Sequence, residues 1–230
     1  MFYNIAKSKA IQKTMTQKIL LLIMLTTLLK LFGCKEQSAN EKKSSSKDSL
    51  SEQIAKSVQD FKNRPLYEKL TSQIFDTIKD NDIEQAVMDN MWSKMRKDLS
   101  DEYQTVLTFS KSRQSIFIIW QLEAEVNNGG FNQFYYNSSG QYADKAEEAF
   151  KTIGAIKFAD LTNRANEIYK KENAKITKHL DGTMEGFSKS YDDNPLNKLD
   201  TEFFALYKTE DLFLIKIAFI RKHKVDFIDN

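Results

Sequence analysis

The chain has 230 residues, 41% of them hydrophobic and 29% charged, which is typical of one or two ordinary globular domains. Its formal charge of +2 excludes the strong basic excess of a nucleic-acid-binding surface. From residue 50 onward there are 25 basic and 29 acidic residues, so the net charge is −4 and a strongly acidic surface is excluded as well.

The first 34 residues have the pattern of a secretory signal. Lysines precede an apolar run of 11 residues, 19–29, which is too short for a helix that spans a bilayer and needs about 20 residues. Residues 31–34, LFGC, resemble the lipobox of bacterial lipoproteins. This resemblance implies that residues 1–33 are a signal peptide, with Met15 as a possible true start, and that Cys34 receives a lipid. A plain membrane anchor, or a signal with an incidental cysteine, is the alternative.

Residues 34–49 predict a tether between the lipid and the folded domain. After Cys34 this segment is rich in Ser, Lys, Glu and Asn, which cannot form a core, so we expect it to be disordered. Lipidation with several acyl chains makes such an anchor stable. Lys35 stands where some bacteria place an acid for inner-membrane retention, so the outer membrane is the favoured location in a bacterial envelope. Because Cys34 is the only cysteine, no disulfide within the chain is expected.

Helical spacing of apolar residues and a content of only two prolines predict an all-α domain over residues 50–230. We expect one compact domain of roughly eight or nine helices. Residues 179–195 are predicted to be a long loop, because they contain glycines, acids and serines. The predicted helices cover residues 50–61, 65–78 with Pro65 in the first turn, 83–99, a segment capped by Ser100, a segment from Ser110 or Ser112 to 126, 131–136, 142–153, 156–171, 200–207 and 210–221.

The central stretch EVNNGGFNQFYYNSSG, residues 125–140, contains three of the seven glycines. Asn and Gly tolerate the left-handed conformation, so residues 127–130 are predicted to end one helix, and a short aromatic helix follows. Phe131, Phe134 and Tyr135 are expected in the core. Tyr136 and Tyr142 are the candidates for a partner surface, where aromatic residues are enriched.

This stretch and its surroundings resemble the signature of a bacterial domain family of unknown function, whose best-known member is a DNA-mimic protein that binds a transcription repressor. The resemblance covers residues 100–227 and implies a helical fold but no activity. It rests on Glu125, Asn128, Gly129, Gly130, Phe131, Gln133, Phe134, Asn137, Gly140, the IGA of residues 153–155 and the LDTEFFALY of residues 199–207.

Glu125 is the one candidate catalytic group. If the two helices fold back, its carboxylate lies near Asn128, Gln133 and Asn137 and is either a general base with a raised pKa or an acceptor for the free backbone N–H groups of the following helix. Glu123 is expected to face another side of the helix. The candidate binding residues are Glu125, Asn128, Gly129, Gly130, Phe131, Gln133, Tyr136 and Asn137.

No cofactor or metal site is expected. His179 and His223 are not spaced as metal ligands, and Gly129-Gly130 follows a helix, whereas a phosphate-binding loop follows a strand. The DDNP of residues 192–195 lacks the full pattern of a calcium loop and predicts a turn.

These patterns predict a membrane-anchored lipoprotein with a non-enzymatic role, either immunity-type or envelope-associated, that binds another protein. An enzyme that uses Glu125 with its neighbouring amides is the alternative. DNA mimicry is a remote alternative, because it needs rows of carboxylates spaced like phosphates and access to the compartment of the repressor. Nucleic acid is not an expected partner, because residues 50–230 lack a basic excess.

Overall fold

The computed structural model describes residues 45–179, 181 and 183–229. The expected signal peptide, Cys34 and the tether up to residue 44 lie outside these residues. The chain divides into two compact units, residues 1–66 and 67–230. The described part of the chain is helical and contains no β-strand, so the all-α class is confirmed. Within this part, no helix has the length and apolar character needed to cross a membrane.

The described helix of the first unit is α1, Ser45–Asn63, which begins five residues before the predicted start at residue 50. The helices of the second unit are α2 Ser72–Thr77, α3 Asp80–Trp92, α4 Glu102–Thr108, α5 Lys111–Tyr136, the 3-10 helix η1 Ser138–Tyr142, α6 Ala143–Ile153, α7 Ile156–Lys171, α8 Asn173–Ile176, α9 Met184–Lys189, α10 Asn197–Leu206, α11 Leu212–Lys222 and α12 Lys224–Phe227.

Helix α5 is the centre of the second unit. The Ser110 hydroxyl caps its start by accepting a hydrogen bond from the Arg113 N–H. Of the two predicted caps, Ser110 and Ser112, the first is therefore confirmed. Residues 116–119 are apolar on every face and all buried, which confirms a helix enclosed by others. Helices α3, α4, α6, α10, α12 and η1 pack against it.

Helices α6 and α7 follow the predicted boundaries closely. Gly154 ends α6 in the left-handed conformation, with a φ of 89°, and α7 has the bounds that the pattern predicts. The Glu210 carboxylate then accepts hydrogen bonds from the backbone N–H groups of Lys157 and Phe158. This contact joins the start of α7 to the connection between α10 and α11.

The helix predicted from Pro65 to residue 78 is wrong over its first half. Only Ser72–Thr77 is helical, with Thr71 as its cap. Upstream, the Leu70 N–H donates to the Asp229 carboxylate, and the Glu68 carbonyl accepts from the Asn90 side chain. These long-range hydrogen bonds replace the local ones that a helix would make.

Other predictions also need correction. Helix α3 ends at Trp92 instead of residue 99, and Asp101, not Ser100, precedes α4. The expected loop of residues 179–195 contains α9, which Thr183 caps. Tyr142, expected on the surface, is fully buried, because its hydroxyl donates to Glu102 and its ring packs against other aromatics.

Candidate functional site

Helix α5 is broken at the predicted place. Gly129 and Gly130 have non-helical backbone angles, and Gly130 has a φ of 71°. The helix resumes at Phe131 in a new direction. The prediction of one helix end followed at once by a short aromatic helix is therefore confirmed, and Phe131, Phe134 and Tyr135 are buried as expected.

Both glycines are required by their surroundings. The Gly129 carbonyl accepts a hydrogen bond of 2.8 Å from the Tyr191 hydroxyl, and a Cβ on Gly129 would overlap that hydroxyl and the Gln133 side-chain oxygen. A Cβ on Gly130 would overlap the Asp200 carboxylate and would also be strained by the positive φ. The break is thus filled by side chains from the segment before α10 and from α10 itself.

Asp200 caps the second half of α5. One carboxylate oxygen accepts a hydrogen bond of 2.8 Å from the Phe131 N–H, and a negative charge is favourable at the start of a helix. Burial nevertheless raises the pKa of Asp200 to about 6, although the Phe131 hydrogen bond opposes this rise. Desolvation of the carboxylate therefore outweighs its contact with the helix.

Glu125 lies at the centre of a polar cluster, the Glu125 cluster, which consists of Glu125, Asn128, Gln133, Asn137 and Ser139. Glu125, Gln133 and Ser139 are buried, Asn137 is half-buried and Asn128 is exposed. One carboxylate oxygen accepts from the Gln133 amide at 2.6 Å and from the Asn137 amide at 2.8 Å. The other accepts from the Ser139 hydroxyl at 3.1 Å. The Gln133 side-chain oxygen accepts from Asn128 at 2.7 Å. The prediction that Glu125 meets the Gln133 and Asn137 amides is confirmed. The expectation that Glu125 accepts from the backbone at the start of the following helix is wrong for Phe131, whose N–H donates to Asp200.

This geometry explains the cluster as a support for the broken helix. Both oxygens of Glu125 are bonded to donors of the same chain, and the residue is only 5% exposed. Tyr136 points elsewhere and packs its ring edge-on against Phe187, at 4.8 Å between centroids. Of the predicted binding residues, Tyr136 is therefore the one whose side chain lies apart from the turn and its core.

A second buried polar network lies on another side of α5. The Lys216 ammonium binds Glu84 and Glu123, at 2.6 Å to each, and the Tyr207 hydroxyl donates to Glu123 at 2.8 Å. Burial alone would lower the pKa of Lys216, but the two carboxylates hold it above its ordinary value. Glu123 and Glu125 thus face different sides, as helical geometry predicts.

Six contributors to these contacts were missed by sequence reasoning: Asp200, Tyr191, Ser139, Glu84, Tyr207 and Lys216. Asp200 belongs to the LDTEFFALY stretch, on which the family resemblance rests, and a helix that restarts at Phe131 needs a cap. These two observations together could have indicated Asp200 as that cap. No feature of the sequence indicated a role for Tyr191, which lies in the expected loop. Lys216 lies in an apolar run, and a lysine there is a sign of a buried ion pair.

The described residues contain no group of three or more His, Cys, Asp or Glu side chains arranged to hold a metal ion. His223 stacks on the Phe219 ring and lies 3.8 Å from Asp226, a contact that does not resemble a metal ligand set.

The comparison with protein families agrees with the resemblance drawn from the sequence. A family model described as DMP19-like protein matches residues 107–223, just over half of the chain. The match contains the broken helix, the Glu125 cluster and Asp200. Comparison with the curated proteins and with the solved structures gave no match.

Two substitutions of Glu125 test its structural role. Glu125→Ala leaves the buried Gln133 amide and the half-buried Asn137 amide without an acceptor and should lower the free energy of unfolding by about 3 kcal/mol. Glu125→Gln should cost only about 1 kcal/mol, because its oxygen still accepts from Gln133 and Asn137 while its amide donates to Ser139. Urea denaturation measures both values. Equal stability of Glu125→Ala and the unchanged chain would contradict the role.

The pKa of Asp200 predicts a pH dependence of stability. Because folding raises this pKa from its ordinary value of 3.8 to about 6, the folded state holds the proton more tightly. The contribution of Asp200 to stability is complete below pH 4 and is lost as the pH rises through about 6. Asp200→Asn keeps an acceptor for Phe131 without this titration. Urea denaturation should show that the advantage of Asp200→Asn grows from pH 4 to 7. A constant difference would contradict the assignment.

Proposed function

We propose that this chain, which belongs to the DMP19-like family, is a membrane-tethered protein-binding domain without catalytic activity of its own. The tether is the expected lipidated segment that begins at Cys34. The binding surface consists of exposed apolar side chains on α7, α10 and α11.

The exposed apolar group is the observation that carries the proposal. Ile156 begins α7, Phe204 lies on α10, and Phe213 and Leu214 lie in the first turn of α11; each is more than 40% exposed. The Glu210 carboxylate connects the start of α7 to the residues just before α11. All four side chains lie within the family match. Apolar side chains gathered on a surface are typical of sites that bind another protein. We call these four residues the junction face.

The enzymatic alternative has less support. A general base must reach a substrate, whereas the Glu125 carboxylate is buried and hydrogen-bonded to Gln133, Asn137 and Ser139. The neighbouring amides are likewise engaged with one another. The cluster therefore has the features of a fold-stabilising network and not of an open reaction site.

DNA mimicry also has less support. A mimic presents carboxylates to its partner, but several surface acids of this domain are paired with cations. Arg164 binds Glu202 at 2.7 Å and Asp160 at 3.1 Å, and Lys170 binds Asp144 at 3.1 Å. The net charge of −4 after residue 50 is far smaller than that of a DNA segment with one phosphate charge for about every 1.7 Å of helix.

A substitution pair tests the junction face. The full chain should capture a specific envelope protein, and Phe213→Ser with Leu214→Ser should reduce this capture about tenfold, since the two substitutions remove exposed apolar anchors. Their effect on folding stability should stay within about 0.5 kcal/mol per substitution because both positions are exposed. The measurement is affinity capture followed by mass spectrometry, with urea denaturation of each variant.

Met184→Ser is the matched control, because Met184 is 81% exposed and lies outside the junction face. It should leave capture unchanged. An excess of duplex DNA should not compete with the captured protein, whereas competition would favour mimicry. Capture that survives both junction substitutions would overturn the assignment of this surface.

The anchor is tested separately. In cells given a labelled fatty acid, the chain should take up label, and Cys34→Ala should abolish uptake because no other thiol is present. The Cys34→Ala protein should also leave the membrane fraction, since the acyl chains supply its membrane affinity. A Cys34→Ala variant that still carries label would refute lipidation at this residue.

A further inference from the structure

Residues 224–229, which we call the latch segment, lie in a groove formed by α3, α5 and residues 67–70. The segment consists of α12 followed by Ile228 and Asp229. Arg113 holds its backbone: the guanidinium donates to the carbonyls of Asp226 at 2.7 Å and Phe227 at 2.8 Å. A single side chain of α5 thus binds two successive carbonyls of the segment.

Asp229 is held by four donors. Its carboxylate accepts from the Leu70 N–H at 2.9 Å, the Asn90 amide at 2.7 Å, the Lys94 ammonium at 2.8 Å and the Arg113 guanidinium at 3.4 Å. Partial burial alone would raise the pKa of Asp229, but the hydrogen bonds from Lys94, Leu70 and Asn90 lower it to about 2. The carboxylate is therefore ionised at neutral pH.

The backbone and an aromatic ring complete the contact. The Asp229 N–H donates to the Leu70 carbonyl at 2.7 Å, so Leu70 pairs with Asp229 in both directions. The Phe227 ring is fully buried. An aromatic anchor, backbone pairing and a captured carboxylate are features by which protein grooves recognise short segments of another chain.

The groove is built for such a ligand. Arg113 is 7% exposed and Asn90 is fully buried, and the Arg113 guanidinium donates to the Asn90 side-chain oxygen at 2.7 Å. Without the segment, Arg113 would lose the carbonyls of Asp226 and Phe227, and Asn90 would keep the Glu68 carbonyl but lose the Asp229 carboxylate. A segment that supplies these acceptors is therefore favoured. An open cleft of about 700 Å³ adjoins the segment and includes Lys69, Phe109 and the exposed Val225 in its lining.

We propose that this groove is a receptor for Phe-x-Asp segments of other protein chains, which it binds in exchange for its own latch segment. The adjoining cleft gives an incoming segment access to Lys94 and Arg113 before the latch segment leaves. This site is distinct from the junction face and does not depend on the function proposed for that face.

The latch segment should compete strongly with a free peptide for the groove. A segment of the same chain competes at a high effective concentration, so a free peptide should bind the unchanged chain weakly. Asp229→Ala removes the carboxylate from the latch segment but leaves the donors of the groove. The probe is a fluorescent peptide with the sequence of residues 224–229, Lys-Val-Asp-Phe-Ile-Asp. Its affinity for the full chain with Asp229→Ala should be at least about tenfold higher than for the unchanged chain.

The matched controls separate specific from general binding. A peptide that ends in alanine instead of aspartate should not bind the Asp229→Ala chain more tightly than the unchanged chain. The chain with both Asp229→Ala and Lys94→Ala should likewise show no higher affinity for the original peptide. Glu202→Ala, on the surface of α10, should leave peptide binding unchanged. Fluorescence anisotropy measures each affinity, and circular dichroism checks that each variant is folded. Equal binding of both peptides, or no gain with Asp229→Ala, would overturn the proposal.

Hydrogen exchange on the unchanged chain gives a second test that does not depend on a variant. A large excess of the unlabelled peptide should speed exchange of the Asp229 amide, because the peptide displaces it from the Leu70 carbonyl. The peptide that ends in alanine should not. If neither peptide changes the exchange of Asp229, the latch segment is not displaced and the proposal is refuted.

Discussion

The hydrogen bonds at the break in α5 are the constraint on which the helical unit depends. A central helix that changes direction in the interior leaves backbone groups without helical partners, and such groups must be bonded elsewhere. Here the Asp200 carboxylate accepts a hydrogen bond from the Phe131 N–H, and the Tyr191 hydroxyl donates one to the Gly129 carbonyl. Each contact comes from a part of the chain at least 60 residues away. The position of α10 is therefore linked directly to the turn.

The polar residues around this turn divide into two networks because successive positions of a helix face different sides. Glu125 and Asn128 bond within the Glu125 cluster, whereas Glu123 and Asn127 reach Tyr207. Lys216 then joins Glu123 to Glu84 on α3. Several acids are consequently used inside the fold, where removal of one partner would leave a buried charge. Acids that are bonded inside the fold do not contribute to a surface of carboxylates such as a DNA mimic needs.

The sequence predicted the features that depend on local chemistry. The bounds of α7, a cap at Ser110 or Ser112 and the meeting of Glu125 with two amides follow from spacing and capping rules. The features it missed depend on distant partners. Residues 67–70 are not helical because Asp229 and Asn90 bind their backbone. Tyr142 is buried because the Glu102 carboxylate accepts a hydrogen bond from its hydroxyl. Nothing near those residues in the sequence indicates these partners.

The most patterned residues of the chain explain its fold, and recognition is therefore to be sought elsewhere. The glycines leave room for Asp200 and Tyr191, and the amides bind Glu125, so the signature describes how a broken helix is supported. The latch segment begins one residue after the family match, and its groove takes Leu70, Asn90 and Lys94 from residues before that match. Ser110, Ser112 and Arg113, which also bind the segment, come from within the match. Recognition at the groove would thus combine side chains from within the family match with backbone and side-chain groups that lie before it.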